Sequence, residues 1–146
     1  MICTGALLAG NRSFCSGNKK LSKPKIAIVD DDEMLREAME FFIGSLGYEP
    51  DPFASAESYL TSGRMAEAAC LITDVRMPGM TGFELQKRLV AAGYRIPVIF
   101  ITGLTEEPVR QAAIAAGAIA FLKKPLDLEC LEQCLKQAIK GQAGDS

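Results

Sequence analysis

The chain contains no histidine and no tryptophan, and aromatic residues make up only 7% of its 146 positions. Without histidine there is no serine–histidine triad, no imidazole acid–base pair and no phosphohistidine relay within the chain. A basic excess is also missing: 16 Lys and Arg stand against 18 Asp and Glu, for a formal net charge of −2. That balance gives no electrostatic footprint for nucleic acid, so direct contact with DNA or RNA is not expected. Nor does any stretch approach the roughly 18 consecutive apolar residues that a membrane span needs. The apolar start Ile2–Ala9 has no charged segment before it and no convincing cleavage site after it, so it does not read as a secretion signal.

The five cysteines are odd in number and form no CxxC pair. This fits a reducing cytoplasm. Cys130 and Cys134, four apart, share a helix face, but two thiols without a histidine make a poor metal site and are expected as buried or half-buried packing residues. With 49% hydrophobic and 23% charged residues the chain has enough apolar surface for one core. Three segments are expected: a loose tail over 1–22, a folded domain over 23–141, and a short tail over 142–146.

From Lys25 onward, short apolar runs alternate with amphipathic segments. "KIAIVD", "CLITD", "IPVIFIT" and "AIAFLKKP" are apolar throughout, the pattern of strands buried on both faces. "YEPDPF" carries two prolines, which restricts it to a sheet edge. Between the strands, Leu35, Met39, Phe42 and Leu46 fall at helical spacing, as do Leu128, Leu131, Leu135 and Ile139. A third helix opens on the Thr81–Glu84 capping box and carries Phe83, Leu85, Leu89 and Val90. Ser55, Thr105 and Asp127 are placed to cap the other helices, of which the fourth, alanine-rich, has a thin apolar stripe. Five strand–helix pairs predict an α/β fold with a parallel sheet covered on both faces. In such sheets ligands gather at the carboxyl ends of the strands.

The strand ends are polar. Asp30 and Asp31 follow the first, Asp74 ends the third, Thr102 the fourth and Lys124 the fifth. Each has an ordinary use taken singly: acids serve helix N-termini, threonine caps, and lysine stays solvated. Gathered on one edge they conflict, since two carboxylates about 4 Å apart repel by roughly 4 kcal/mol at an effective dielectric near 20. A hard divalent cation such as Mg²⁺ relieves that repulsion and accepts phosphate oxygens as well. Lys124 and the Thr102 hydroxyl then suit phosphoryl oxygens. An aspartate carboxylate needs no base at neutral pH, and aspartyl phosphate formation is a known covalent strategy.

The segments "IAIVDDDE", "LITDVRMPGMTGFELQKRL", "VIFITG" and "AIAFLKKPL" closely resemble the receiver domains of bacterial two-component response regulators, over about Lys25 to Lys140. The resemblance implies a flavodoxin-like (βα)5 three-layer sandwich with strand order 2-1-3-4-5. It implies Asp74 as phosphoacceptor, with Asp30, Asp31, Asp74 and the backbone carbonyl of Arg76 holding Mg²⁺. Thr102 would be the switch hydroxyl, Lys124 the ionic partner of the phosphoryl group, Phe121 the switch aromatic, and Lys124–Pro125 a cis junction. The partners implied are a sensor histidine kinase or phosphotransfer protein and a downstream effector, with homodimerisation through the face made by the fourth helix, fifth strand and fifth helix. Such a protein catalyses only its own phosphorylation and slow dephosphorylation. Arg76 and Leu104, two positions beyond Asp74 and Thr102, would flank the hydrolytic water, and their bulk predicts slow loss of the phosphoryl group.

Three other readings compete. A phosphohydrolase of the haloacid-dehalogenase type also uses an aspartyl nucleophile, but its Asp-x-Asp-x-Thr/Val pattern departs here at Glu33 and Met34. A pseudo-receiver, a docking module of the same fold, would lack one of the key residues, and none is missing. The chain is alternatively the amino-terminal receiver of a larger DNA-binding regulator, although no helix-turn-helix pattern follows the last helix.

Overall fold

The computed structural model describes residues 23–103 and 107–144. The elements run β1 (Lys25–Val29), α1 (Glu33–Ser45), β2 (Glu49–Phe53), α2 (Ala56–Ser62), a 3₁₀ turn (Met65–Glu67), β3 (Ala68–Asp74), α3 (Gly82–Ala91), β4 (Val98–Thr102), α4 (Glu107–Ala115), β5 (Ala120–Lys123) and α5 (Leu128–Gly144). The five strands form one parallel sheet in the order β2-β1-β3-β4-β5. This is the expected doubly wound α/β sandwich.

Strand alternation sends the apolar runs to two cores. Ala27, Val29, Leu71 and Phe100 meet Ala56 and Tyr59 of α2, Leu85 and Leu89 of α3 and Ala113 of α4. On the other face Ile26, Ile28, Ile72, Ile99 and Ile101 meet Met39 and Ile43 of α1 and Leu131, Leu135 and Ala138 of α5. Each such buried Ile, Leu or Phe contributes about 1.5–3 kcal/mol over an exposed one. The result is a rigid sheet whose strand ends are fixed.

The edge position of β2 follows from its prolines. Glu49 N–H donates to the Pro24 carbonyl at 2.9 Å, and the Phe53 carbonyl accepts from Asp30 N–H at 3.2 Å, so Glu49 and Phe53 face β1. Pro50 and Pro52, on the alternate positions, turn their missing N–H groups off the sheet.

The helix faces differ in detail from the predicted stripes. On α3, Val90 is exposed while Gln86 is buried, and Phe83 is half-buried, packed edge-on against Phe100 with centroids 4.8 Å apart. On α5 Leu128 is exposed and Ala138 is buried, so the inner face runs Leu131, Leu135, Ala138. Cys130 is exposed, contrary to its expected packing role, whereas Cys70 is buried and Cys134 half-buried. Asp127 caps α5 by accepting from the Glu129 and Cys130 N–H groups at 3.0 and 3.3 Å. On α4 only Ala113 is buried, the thin stripe anticipated from its alanines. The 1–22 segment with Cys3 and Cys15, the cap at Thr105, and Leu104 lie outside the described residues. No described helix is long and apolar enough to cross a membrane.

Candidate functional site

Sheet register brings the acids together. Val29 pairs with Thr73, so Asp30, one residue on, stands level with Asp74. Asp74 pairs in turn with Ile101, and Thr102 with Lys123, which puts Thr102 and Lys124 one step beyond on the same sheet edge. Carboxylate oxygens of Asp30, Asp31 and Asp74, one from each, all lie within 4.8 Å of one another. The sequence had already grouped these residues.

The acidic run Asp30–Asp31–Asp32 divides its labour. Asp32 serves α1 as N-cap, its Oδ1 accepting from the Met34 and Leu35 N–H groups at 3.1 and 3.2 Å. That role was missed in the sequence, although the Glu33 start and following apolar stripe mark it. With the helix end satisfied by Asp32, Asp30 and Asp31 are left to the sheet edge. Asp30 is fully buried; its Oδ1 accepts from Asp32 N–H at 2.9 Å, and Oδ2 has no hydrogen-bond partner among the described residues. Burial, reinforced by the charge of Asp74 against the counter-effects of the Asp32 N–H and Lys124, pushes the Asp30 carboxyl up to about 6. Asp31 is exposed.

Asp74 is buried, with Oδ1 accepting from Arg76 N–H at 3.3 Å and Oδ2 from Lys124 Nζ at 3.0 Å. Lys124 Nζ also stands 3.8 Å from Asp30 Oδ2. Burial works against the Lys124 ammonium, but the Asp74 hydrogen bond and the charges of Asp30 and Asp74 outweigh it and hold the ammonium above its ordinary range. The Lys124–Pro125 bond is cis, as the resemblance implied, and Lys124 N–H donates to the Thr102 carbonyl at 2.8 Å. Thr102 is buried. Phe121 is half-buried and packs on the α2–α3–α4 core. The Arg76 side chain is exposed.

The loop after Asp74 is held close. Gly82 N–H donates to the Val75 carbonyl at 3.0 Å, and a Cβ at Gly82 would collide with the Asp74 carbonyl. Two residues escaped the sequence reading. Arg36 Nη1 donates to the Asp30 carbonyl at 2.7 Å, and Glu57 Oε2 accepts from Met80 N–H at 3.1 Å. The first spans only six residues from the end of β1 into α1, the second 23 residues, and neither leaves a periodic pattern, except that Glu57 lies against Gly79.

The donor set fits a hard cation: oxygen ligands only, from three carboxylates, one of them with an orphaned buried oxygen. A cleft of about 910 Å³ bounded by Leu89, Tyr94, Ile119 and Ala138 lies at the opposite ends of the strands, away from these groups.

The model of the response regulator receiver domain matches residues 26–136. The chain belongs to the response regulator receiver family. Phosphorylation and Mg²⁺ binding are general features of receivers, and a receiver acts as a signalling switch. Among relatives, the response regulator protein TmoT of Ectopseudomonas mendocina is 41% identical over 115 residues, covering 79% of this chain and 52% of that protein. The transcriptional regulatory protein FixJ of Azorhizobium caulinodans is 39% identical over 102 residues, covering 70% of this chain and 48% of that protein. The solved structure of response regulator StyR superposes with a TM-score of 0.78 at 38% identity, over 85% of this chain and 63% of that one. This receiver thus spans about half the length of the curated relatives it matches.

Proposed function

We propose that this receiver is switched by phosphorylation of Asp74. A carboxylate oxygen of Asp74 attacks the phosphorus of a phosphohistidine on a sensor kinase or phosphotransfer protein. The P–N bond breaks, and the leaving imidazole keeps the electron pair and takes a proton. The observation that carries the reading is the convergence of Asp30, Asp31 and Asp74 oxygens within 4.8 Å, with Lys124 bridging Asp74 and Asp30. Asp30, Asp31, Asp74 and the Arg76 carbonyl would hold Mg²⁺, which when bound neutralises charge on the phosphoryl oxygens. The chain's own contribution is positional. The buried sheet fixes Asp74, Lys124 offers an ammonium to the phosphoryl group, and Thr102 supplies a hydroxyl that turns toward it.

The switch then passes through Thr102 and Phe121 to the α4-β5-α5 surface, whose α4 is weakly held, with one buried residue. That surface would bind an effector protein or a second copy of the chain in the cytoplasm. Arg76 and Leu104 would slow hydrolysis of the aspartyl phosphate. A second reading, that the receiver is the amino-terminal switch of a longer transcriptional regulator, is favoured by its spanning about half of relatives such as FixJ.

The test is incubation with a small acyl phosphate and Mg²⁺, read by intact mass. The wild type should gain one phosphoryl group and Asp74→Asn none. An unmodified wild type would return the chain to the class of docking modules.

A further inference from the structure

Gly79 sits in the Arg76–Met80 loop at φ 81°, and a Cβ there would stand 2.7 Å from Glu57 Oε2. The positive φ is what favours glycine there, and a Cβ would displace the carboxylate from its place against the loop's backbone. Glu57 is in the first turn of α2, a helix whose start is fixed by the reciprocal Ser55–Ser58 capping box. From that base its Oε2 accepts the Met80 N–H at 3.1 Å, across 23 residues of sequence.

The rest of the loop is tied at its root. Val75 N–H donates to the Ile101 carbonyl at 2.9 Å, Gly82 N–H to the Val75 carbonyl at 3.0 Å, and Arg76 N–H to Asp74 Oδ1 at 3.3 Å. Met77 is buried, whereas Pro78 and Gly79 are exposed. Glu57 therefore holds the outer turn of the loop, the part its own root does not reach.

We propose that Glu57 is a positioning residue for the proposed metal and phosphoryl site: its carboxylate clamps the β3–α3 loop through the Met80 N–H and so fixes the path of the backbone from Arg76. The inference rests on the proposed role of the Arg76 carbonyl. A charged acceptor on a backbone N–H is the stronger kind of hydrogen bond, and glutamine keeps an oxygen acceptor in the same place while alanine has none.

The experiment uses the full chain as wild type, Glu57→Ala and Glu57→Gln. Mg²⁺ alone is titrated by calorimetry, amide exchange is followed at Met80, melting is recorded, and phosphoryl uptake from an acyl phosphate is timed. Glu57→Ala should weaken Mg²⁺ binding and slow uptake by about three- to tenfold, and Met80 should exchange faster. Glu57→Gln should recover to within about twofold of wild type. Wild-type Mg²⁺ affinity in Glu57→Ala, with or without a lower melting temperature, overturns the clamp, as does a Glu57→Gln protein as impaired as Glu57→Ala. A wild type that binds no Mg²⁺ overturns it too. If the wild type binds Mg²⁺ and Glu57→Ala weakens it, but no phosphoryl group is taken up, the clamp stands and the phosphoryl reading falls.

Discussion

Lys124 and Asp74, fifty residues apart in sequence, meet at the end of the sheet with Nζ 3.0 Å from Oδ2. The ammonium balances the Asp74 carboxylate, as a bound divalent cation would under the proposed function. Replacing Lys124 by alanine should therefore tighten Mg²⁺ binding, because a competing positive charge is gone. It should also slow or uncouple phosphoryl transfer. Without metal the variant should lose about 1–3 kcal/mol of stability, since Asp74 and Asp30 are left unpaired. Urea unfolding with chelator and with Mg²⁺ separates these effects; weaker Mg²⁺ binding would contradict the account.

Asp30 predicts an opposite stability effect. Burial raises its carboxyl to about 6, above the ordinary aspartate value of 3.8, so the folded chain holds this proton more tightly than the unfolded chain. The stabilisation is complete below the unfolded value and is lost as pH rises through about 6. At pH 7 the ionised, half-satisfied carboxylate is a cost. Asp30→Asn should then be about 1–3 kcal/mol more stable than wild type without metal, and should lose the stabilisation that Mg²⁺ gives the wild type. Thermal melts with and without Mg²⁺ check both signs.

Gly82 tests the backbone. It opens α3, where alanine is intrinsically favoured by about 1 kcal/mol, but the added methyl group meets the Asp74 carbonyl. Gly82→Ala should lose about 1–3 kcal/mol from overpacking and displace Asp74 enough to reduce phosphoryl uptake. A variant as stable as wild type would show that the loop gives way freely.

Thiol reactivity reads the packing of the α1–α5 face. Burial pushes the Cys70 thiol up to about 12, whereas Cys130 is exposed on α5 and Cys134 half-buried. Among the three described cysteines, alkylation of the folded chain followed by peptide mapping should modify Cys130 first, then Cys134, with Cys70 protected until unfolding.

Much of this was legible because parallel strands buried on both faces are apolar end to end, so a polar residue at an end stands out. Asp74 and Thr102 are visible in that way, and Pro50 and Pro52 assign β2 to the edge. Helix faces were less legible, because their stripes are broad: Val90 and Leu128 fit the spacing yet are exposed, while Gln86 and Ala138 are buried. The three adjacent aspartates could not be told apart by type, since only the start of α1 decides that Asp32 caps it. Arg36 and Glu57 were invisible, because a side chain that bonds a backbone group outside its own helix imposes no periodicity on the chain between. Gly79 was the one mark that Glu57 left.

The central claim is that Asp74 takes a phosphoryl group at a metal site made with Asp30 and Asp31. The most direct measurement is peptide mapping after reaction with an acyl phosphate, with Mg²⁺ and with a chelator in its place. The account predicts a single phosphoryl group on the peptide carrying Asp74, present only with Mg²⁺ and absent from Asp74→Asn. Labelling of another residue, or equal labelling with chelator, would contradict it.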